Sequence, residues 1–238
     1  MELPLRLADE SALDEFLAQP SPGLIECMKR LEGDIMILGI AGKMGVSMGR
    51  RAVNAARAAG VAKKVIGVAR FSNAAARAEL EAHGVETIAC DLLDRAAVAQ
   101  LPAAPNVIFM AGRKFGTDGA EDLTWAMNVL APGHVVEHFR NSRIVAFSTG
   151  CVYPLVSIAT GGCTEAIVPE PVGEYAQSCL GRERIFQYGA RTFGSRVLLF
   201  RLNYAIDLRY GVLHDIGLQI LNGEKVNNAV GYFNVIWQ

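Results

Sequence analysis

The chain has 238 residues, of which 51% are hydrophobic, enough to form the core of one large domain or of one domain and part of another. Its 23 Lys and Arg balance 24 Asp and Glu, which excludes the broad basic field typical of nucleic-acid binding, and no apolar run approaches the roughly 18 residues that cross a membrane. Five cysteines without a secretion signal or metal-ligand spacing predict a cytoplasmic protein with free thiols and no metal site.

Residues 1–33 precede the first predicted strand. Ser11, followed by Asp14 and Glu15, is typical of a helix N-cap, and a second short helix is predicted over residues 24–31. We interpret this part as an N-terminal helical extension that packs on the domain behind it.

Residues 34–59 combine a strand, a glycine turn and a helix. The apolar run 35–38 predicts a buried parallel strand, and the spacing of Gly39, Gly42 and Gly45 is G-x-x-G-x-x-G. These glycines permit a tight turn, close approach of backbone to phosphate oxygens and packing of helix on strand. The helix N-terminus adds free N–H groups, so we predict dinucleotide binding here. Lys43 and Met44 lie inside the turn, Lys43 either as a solvated residue or as a diphosphate contact.

Strands and helices alternate along the following 140 or so residues. Strands are predicted at 65–69, 85–90, 107–110, 144–147 and 197–202, and helices at 73–83, 94–101, 123–139 and 174–188. Nearly continuous apolar strands separated by helices predict an α/β fold with a doubly wound parallel sheet, covered by helices on both faces.

Ligands of such sheets bind beyond the carboxyl ends of the strands. The predicted cofactor-binding residues collect at that edge or next to it: Gly39, Gly42, Lys43, Met44, Gly45, Arg70, Ser72, Asp91, Leu92, Met110, Ala111, Gly112, Asn128 and Asn203.

Arg70 ends the second predicted strand, where NAD-binding folds usually carry an acidic residue for the ribose hydroxyls. An arginine with Ser72 nearby suits a 2′-phosphate, which favours NADP over NAD. The alternative is a surface arginine that stacks on adenine and tolerates both cofactors.

Two polar residues have open alternatives. Asp91 either accepts a hydrogen bond from the adenine amino group or caps the following helix. Asn128 lies on an otherwise apolar helix, where it either bridges the fourth and fifth strands or faces solvent.

A set of motifs resembles the extended short-chain dehydrogenase/reductase family, in its NAD-dependent epimerase/dehydratase branch, over residues 34–238. The motifs are the glycine triplet, Asp91-Leu92, Ser148-Thr149 with Val152-Tyr153, Thr164-Glu165, Tyr175, and Arg201 with Asn203-Tyr204. The resemblance implies a Rossmann-type fold and hydride transfer at a hydroxyl or keto carbon of a polar, sugar-like small molecule.

The resemblance also implies roles for the residues of the site. Thr149, next to Ser148, polarises the substrate oxygen, and Tyr175 moves the proton. Dimerisation through the two long helices, 123–139 and 174–188, is common among family members, so a homodimer is expected by analogy.

Cys179 stands where the family has the lysine of its Y-x-x-x-K motif. That lysine lowers the tyrosine pKa and holds the nicotinamide ribose, and a cysteine does neither. Either Arg182 supplies the charge, or the substrate does, or the chain is a non-catalytic NAD(P)-binding module. Cys179 itself is either a nucleophile or a small packed residue.

The sequence pattern and the resemblance together divide the chain into three parts. Residues 1–33 form the extension, residues 34–205 the dinucleotide-binding domain, and residues 206–238 the start of a small substrate domain, expected to be incomplete. Within that last part we predict a helix at 211–222 and a strand at 232–237.

Overall fold

A parallel sheet organises the molecule. The computed structural model describes residues 4–114, 116–229 and 231–238, so residues 1–3 of the predicted extension lie outside it. Its first six strands are β1 (Ile35–Leu38), β2 (Val65–Ala69), β3 (Glu86–Ala89), β4 (Asn106–Phe109), β5 (Arg143–Thr149) and β6 (Arg196–Leu202). They form one parallel sheet in the order β3-β2-β1-β4-β5-β6. This order confirms the predicted Rossmann-type doubly wound fold.

Helices cover the sheet on both faces. They are α1 (Glu10–Leu17), α2 (Pro22–Arg30), α3 (Gly45–Ala58), α4 (Ala74–Ala82), α5 (Arg95–Ala99), α6 (Glu121–Trp125), α7 (Ala131–His138), α8 (Glu174–Phe193) and α9 (Val212–Leu221). Alternate residues of β1 enter two different hydrophobic clusters, because successive side chains of a strand point to opposite faces. Ile35 and Ile37 pack among residues of α2, α3 and α4. Met36 and Leu38 pack among residues of α5, α7 and α8.

Two helix caps differ from the sequence-based expectation. Asp9, not Ser11, caps α1 by accepting from the N–H of Ala12 at 2.8 Å. Asp94, not Asp91, caps α5 by accepting from two backbone N–H groups. Asp91 instead accepts from the N–H of Leu93 at 3.0 Å, closing a turn that precedes the helix. In both places two residues with capping side chains lie within three positions, and the path of the chain selects the one that caps.

The long helix expected over residues 123–139 is interrupted in its middle. A π-helical turn, Ala126–Leu130, joins α6 to α7. Pro132 follows it, and in a regular helix its ring would clash with the carbonyl four residues earlier, that of Asn128. The wider turn accommodates the proline, and Asn128 lies within it, fully buried.

A two-stranded parallel ribbon follows the main sheet. It pairs β7 (Tyr204–Ile206) with β8 (Val235–Trp237), and α9 lies between them in sequence. Arg209 ties this part to the extension, because it donates to Asp207 and, at 2.6 Å, to Asp14 of α1. Among the described residues, no helix combines the length and the apolar character needed to span a membrane.

Candidate active site

The glycine turn lies at the carboxyl end of β1, where the strand order changes direction between β1 and β4. Gly39 has a φ of +91°, and a Cβ built there would lie 2.6 Å from the backbone nitrogen of Ala111. A Cβ at Gly45 would lie 2.0 Å from the carbonyl oxygen of Ile40. Side chains at these two positions are therefore incompatible with the turn, as the motif predicts.

The N-terminus of α3 meets this turn with its N–H groups uncapped by any described side chain. Met44 holds the N-cap position of α3 and has no capping oxygen, as is also the case for the residues that precede α6, α8 and α9. Uncapped N–H groups and the positive end of the helix dipole suit a phosphate. Gly42 is exposed, and Lys43 beside it lies with its Nζ 4.8 Å from the centroid of the Tyr210 ring. The turn thus fits the diphosphate of a dinucleotide.

The residues predicted to hold the adenosine half follow β2 and β3. Arg70 and Ser72 are both exposed, and Phe71 between them has a φ of +50°, which is unusual for a residue other than glycine. Asp91 is half-buried and already accepts from Leu93, while Leu92 is buried in the core. Arg70 and Ser72 therefore lie at the carboxyl edge of the sheet, as predicted. One carboxylate oxygen of Asp91 accepts from Leu93, and the other takes no part in that hydrogen bond.

Asn128 joins the loop after β4 to α8. Its Oδ1 accepts from the N–H of Arg113 at 2.9 Å, and its Nδ2 donates to Arg113 O at 3.0 Å and to Ser178 Oγ at 2.9 Å. The solvent-facing alternative is excluded because the side chain is fully buried. Its amide is committed to protein partners, so it fixes the loop that starts with Met110, Ala111 and Gly112.

Arg182 completes this network from below. Its Nη2 donates to Asn128 Oδ1 at 2.5 Å and its Nη1 donates to Phe147 O at 2.9 Å, so it links the π-helical turn to β5. A Cβ at Gly112 would lie 2.5 Å from that Nη2, so the glycine leaves room for the guanidinium. Burial lowers the pKa of Arg182 from its ordinary value.

Thr149 and Tyr175 stand at the same edge. Thr149 ends β5, and its Oγ1 accepts from the N–H of Cys151 at 3.2 Å. Tyr175 lies in the first turn of α8, four residues before Cys179, so the two side chains share one face of the helix. Burial, and then the neighbouring Cys179, raise the pKa of Tyr175 above its ordinary value, while the charge of Arg182 opposes that rise.

Cys179 is fully buried on α8. Burial raises the pKa of its thiol, which keeps the sulfur protonated at neutral pH. This environment suits a packed residue and not an activated nucleophile.

Ser148 and Asn203 flank Thr149. Ser148 Oγ donates to the buried carboxylate of Glu183 at 2.6 Å, so its hydroxyl is directed into the protein. The Oδ1 of Asn203 lies 2.6 Å from the position of a Cβ at Gly150 and is therefore packed against the turn that follows Thr149. Of the two adjacent hydroxyls, that of Thr149 is the one not engaged by Glu183.

Two charged residues near the site escape the sequence analysis. Lys114 has its Nζ 5.9 Å from the centroid of the Tyr175 ring and 4.8 Å from that of Tyr204. Glu183 binds Arg201 through two hydrogen bonds of 2.9 and 2.8 Å, and Arg201 lies over the ring of Tyr153. None of the sequence motifs includes Lys114 or Glu183. Glu183 lies two helical turns after Tyr175, on the side of α8 that packs against β5.

The family of the chain is established by comparison with models of known protein families. The model of the NAD dependent epimerase/dehydratase family matches residues 35–206, from β1 to the end of β7. The chain belongs to that family. A search of curated proteins gave no match.

Solved structures of similar fold include epimerases and a dehydratase. UDP-glucuronic acid 4-epimerase from Bacillus cereus, in complex with NAD, is 17% identical with a TM-score of 0.64, and the match covers 80% of this chain and 64% of that one. For dTDP-glucose 4,6-dehydratase from Streptomyces venezuelae the values are 20%, 0.67, 80% and 62%. For UDP-glucose 4-epimerase from Thermotoga maritima they are 16%, 0.68, 86% and 69%. At these identities the likeness establishes the fold, and this epimerase/dehydratase chain matches about two thirds of each neighbour's length.

Proposed function

We propose that this protein binds NAD(P) and uses it to oxidise or reduce a hydroxyl or keto carbon of a sugar-like substrate, as an epimerase, dehydratase or reductase. The observation that carries the proposal is the glycine turn. It presents the uncapped N-terminus of α3 at the centre of the sheet edge, in a conformation that Gly39 and Gly45 alone permit. The family membership of residues 35–206 supports the same cofactor class.

The chain's own groups would handle the proton. Bound NAD(P) would supply or accept the hydride at the reacting carbon. Thr149 would donate a hydrogen bond to the substrate oxygen, since its hydroxyl proton is not used by the bond it accepts from Cys151. Tyr175 would then give a proton to that oxygen when a keto group is reduced and take it when a hydroxyl is oxidised.

The substrate class follows from the family and its structural neighbours. Two of the structural neighbours are complexes with UDP-glucuronic acid and with UDP-glucose. We therefore propose a sugar nucleotide as the first substrate to test, in a cytoplasmic setting that suits five free thiols, all of them within the described residues.

Cofactor preference is expected to depend on Arg70. We predict that Arg70→Ala weakens NADP binding by about tenfold, since one charge-assisted contact to a phosphate contributes roughly 1.5 kcal/mol. NAD binding should change little, because NAD lacks the 2′-phosphate. Calorimetric titration of the purified chain with each nucleotide measures both effects and tests the proposed cofactor site itself.

The control for that titration is Arg184→Ala, which removes an exposed arginine of α8 that donates to Gln187 of the same helix. Equal weakening of NADP and NAD by Arg70→Ala would assign Arg70 to adenine stacking. Binding of neither nucleotide to the unaltered chain would contradict the cofactor proposal. Equal affinity of the unaltered chain for NADP and NAD would contradict the proposed preference for NADP.

A second candidate is a cofactor-binding module without turnover. Its supporting observation is the buried, protonated thiol of Cys179 in place of a cation next to Tyr175. Nucleotide binding without turnover of any sugar nucleotide, followed by turnover in Cys179→Lys, would favour this candidate. Turnover by the unaltered chain would exclude it.

We also propose a homodimer that packs the π-helical turn, α7 and α8 against a second copy. An open apolar groove of about 360 Å³ lies there, lined by Trp125, Ala126, Val129, Leu130, Gly133 and Ile185. Leu130 is 52% exposed, so its position on the surface suits a contact between copies.

Leu130→Asp should convert this dimer to a monomer, because two carboxylates would be buried near each other at a two-fold interface. Sedimentation equilibrium measures the change. Leu155→Asp is the control, since Leu155 is 95% exposed but lies on the loop after β5. A chain that is monomeric without any substitution, or a dimer that survives Leu130→Asp, would contradict this interface.

A further inference from the structure

Three residues follow one face of α8 beneath the site. Tyr175, Cys179 and Arg182 are spaced four and then three residues apart, so they lie one above another on the helix. The thiol lies one helical turn after the phenol, and the guanidinium, bonded to Asn128, lies one turn farther along. The position where the resemblance places a lysine is thus neutral, and a permanent cation occupies the next position on the same face.

The guanidinium of Arg182 is held in place by hydrogen bonds to neutral acceptors. Arg182 is 6% exposed, and its guanidinium is bonded to Asn128 Oδ1 and Phe147 O, neither of which carries a charge. Its Nε is buried with no hydrogen-bond partner within the described part of the chain. Glu183, the adjacent acid, is engaged by Arg201 and Ser148. Among the described residues no carboxylate forms a direct ion pair with Arg182, although Glu183 is close enough to interact with its charge, and burial limits screening by solvent.

The other groups that face Tyr175 are few. Cys179 lies on α8 itself, Cys151 lies on the turn after β5, and Lys114 approaches the ring from the loop after β4. Both cysteines oppose formation of the phenolate. Lys114 is exposed, so water and salt screen its charge more than that of Arg182.

We propose that Arg182 is the fixed cation of this site, a positioning residue that stabilises the Tyr175 phenolate from the helical turn below and so replaces the charge absent at Cys179. The inference rests on the proposed function, since it assigns Tyr175 the proton transfer. In this arrangement the cation is bonded to Asn128 and to Phe147 of β5. The second task of a lysine, holding the nicotinamide ribose, would then fall to other groups.

The test measures the acidity of the phenol without any substrate. Difluorotyrosine, which is more acidic than tyrosine, is incorporated in place of Tyr175, and its phenolate absorbance is followed against pH in the folded chain. Arg182→Gln removes the charge but retains amide donors for Asn128 and Phe147, and it should raise the phenol pKa by about one pH unit. Arg182→Lys retains the charge and should leave the phenol pKa close to that of the parent.

Lys114→Gln is the matched control, because it removes the other cation near the ring, and it should change the phenol pKa by much less than Arg182→Gln. Three results would overturn the proposal: equal pKa values in all variants, equal shifts in Arg182→Gln and Arg182→Lys, or a shift in Lys114→Gln alone. If Arg182→Gln does not fold, Asn128→Asp replaces it, since a carboxylate beside the guanidinium cancels its charge and should raise the phenol pKa as well.

The same measurement separates this inference from the proposed function. An Arg182-dependent pKa with no turnover of any substrate would support the fixed cation and contradict the enzyme. Turnover that requires Tyr175, together with a phenol pKa that does not change when Arg182 is substituted, would support the enzyme and contradict the fixed cation.

Discussion

Replacing Tyr175 by phenylalanine is expected to lower turnover by about 10²–10⁴-fold, the usual contribution of a positioned general acid or base. The substitution removes only the hydroxyl of a residue that lies in the first turn of α8, at the same sheet edge as Thr149. Affinity for the nucleotide should remain within a few-fold of the parent, because the glycine turn and Arg70 belong to other elements. Steady-state kinetics with a sugar nucleotide, together with nucleotide titration, separate the two effects.

The pH dependence gives this prediction a second signature. Burial raises the pKa of Tyr175 above its ordinary value of about 10, so the phenol is protonated at neutral pH. The direction that needs a proton donor should therefore be fast near neutrality. The direction that needs a base should accelerate up to about tenfold per pH unit through the alkaline range, since the phenolate fraction grows at that rate below the pKa.

Tyr188→Phe is the matched control for this prediction, because Tyr188 lies on the same helix but is 53% exposed and packs on Phe193. It should leave both the rate and its pH profile unchanged. Retention of full turnover by Tyr175→Phe would exclude this residue as the acid and base. A flat alkaline profile in the oxidising direction would show that another group takes the proton.

The fold was predictable because its signals are local. Apolar runs mark β1, β2, β4, β5 and β6, whereas β3 mixes polar and apolar residues, and the glycines at 39, 42 and 45 define the turn after the first strand. A side chain at Gly45 would clash with Ile40, five residues earlier, and one at Gly39 would clash with Ala111, which follows the neighbouring strand β4. The motif is informative because both clashes exclude any residue other than glycine.

The site was only partly predictable because its contacts join distant residues. Asn128 was recognised as a polar residue on an apolar helix, but its three partners lie 15, 50 and 54 positions away. Arg182 was considered as a source of charge, and its bond to Phe147 O depends on how α8 packs against β5. The π-helical turn escaped prediction for a different reason: periodicity identifies a helix, whereas the turn arises where Pro132 disturbs it.

The pair formed by Glu183 and Arg201 leads to the largest stability effect that we predict. Glu183 is fully buried, accepts two hydrogen bonds from Arg201 and one from Ser148, and thereby joins α8, β5 and β6 next to Thr149. The carboxylate raises the pKa of Arg201 further above its ordinary value, so the arginine stays charged. Glu183→Ala should lower the free energy of unfolding by about 3–5 kcal/mol, because it leaves that charge without its partner. Urea unfolding followed by circular dichroism measures the loss.

Two further variants distinguish a buried ion pair from general packing. Glu137→Ala breaks the pair that Glu137 forms with Arg95, whose side chains are 45% and 70% exposed, and should cost less than about 1 kcal/mol. The double variant Glu183→Leu with Arg201→Met removes both charges and should recover much of the stability lost in Glu183→Ala, since an apolar pair of similar volume needs no compensation. A loss in Glu183→Ala no greater than that in Glu137→Ala, or no recovery of stability in the double variant, would contradict the assignment of the loss to an unpaired buried charge. Recovery of stability without recovery of turnover would show instead that the pair also holds Ser148 and Thr149 in the arrangement that the reaction needs.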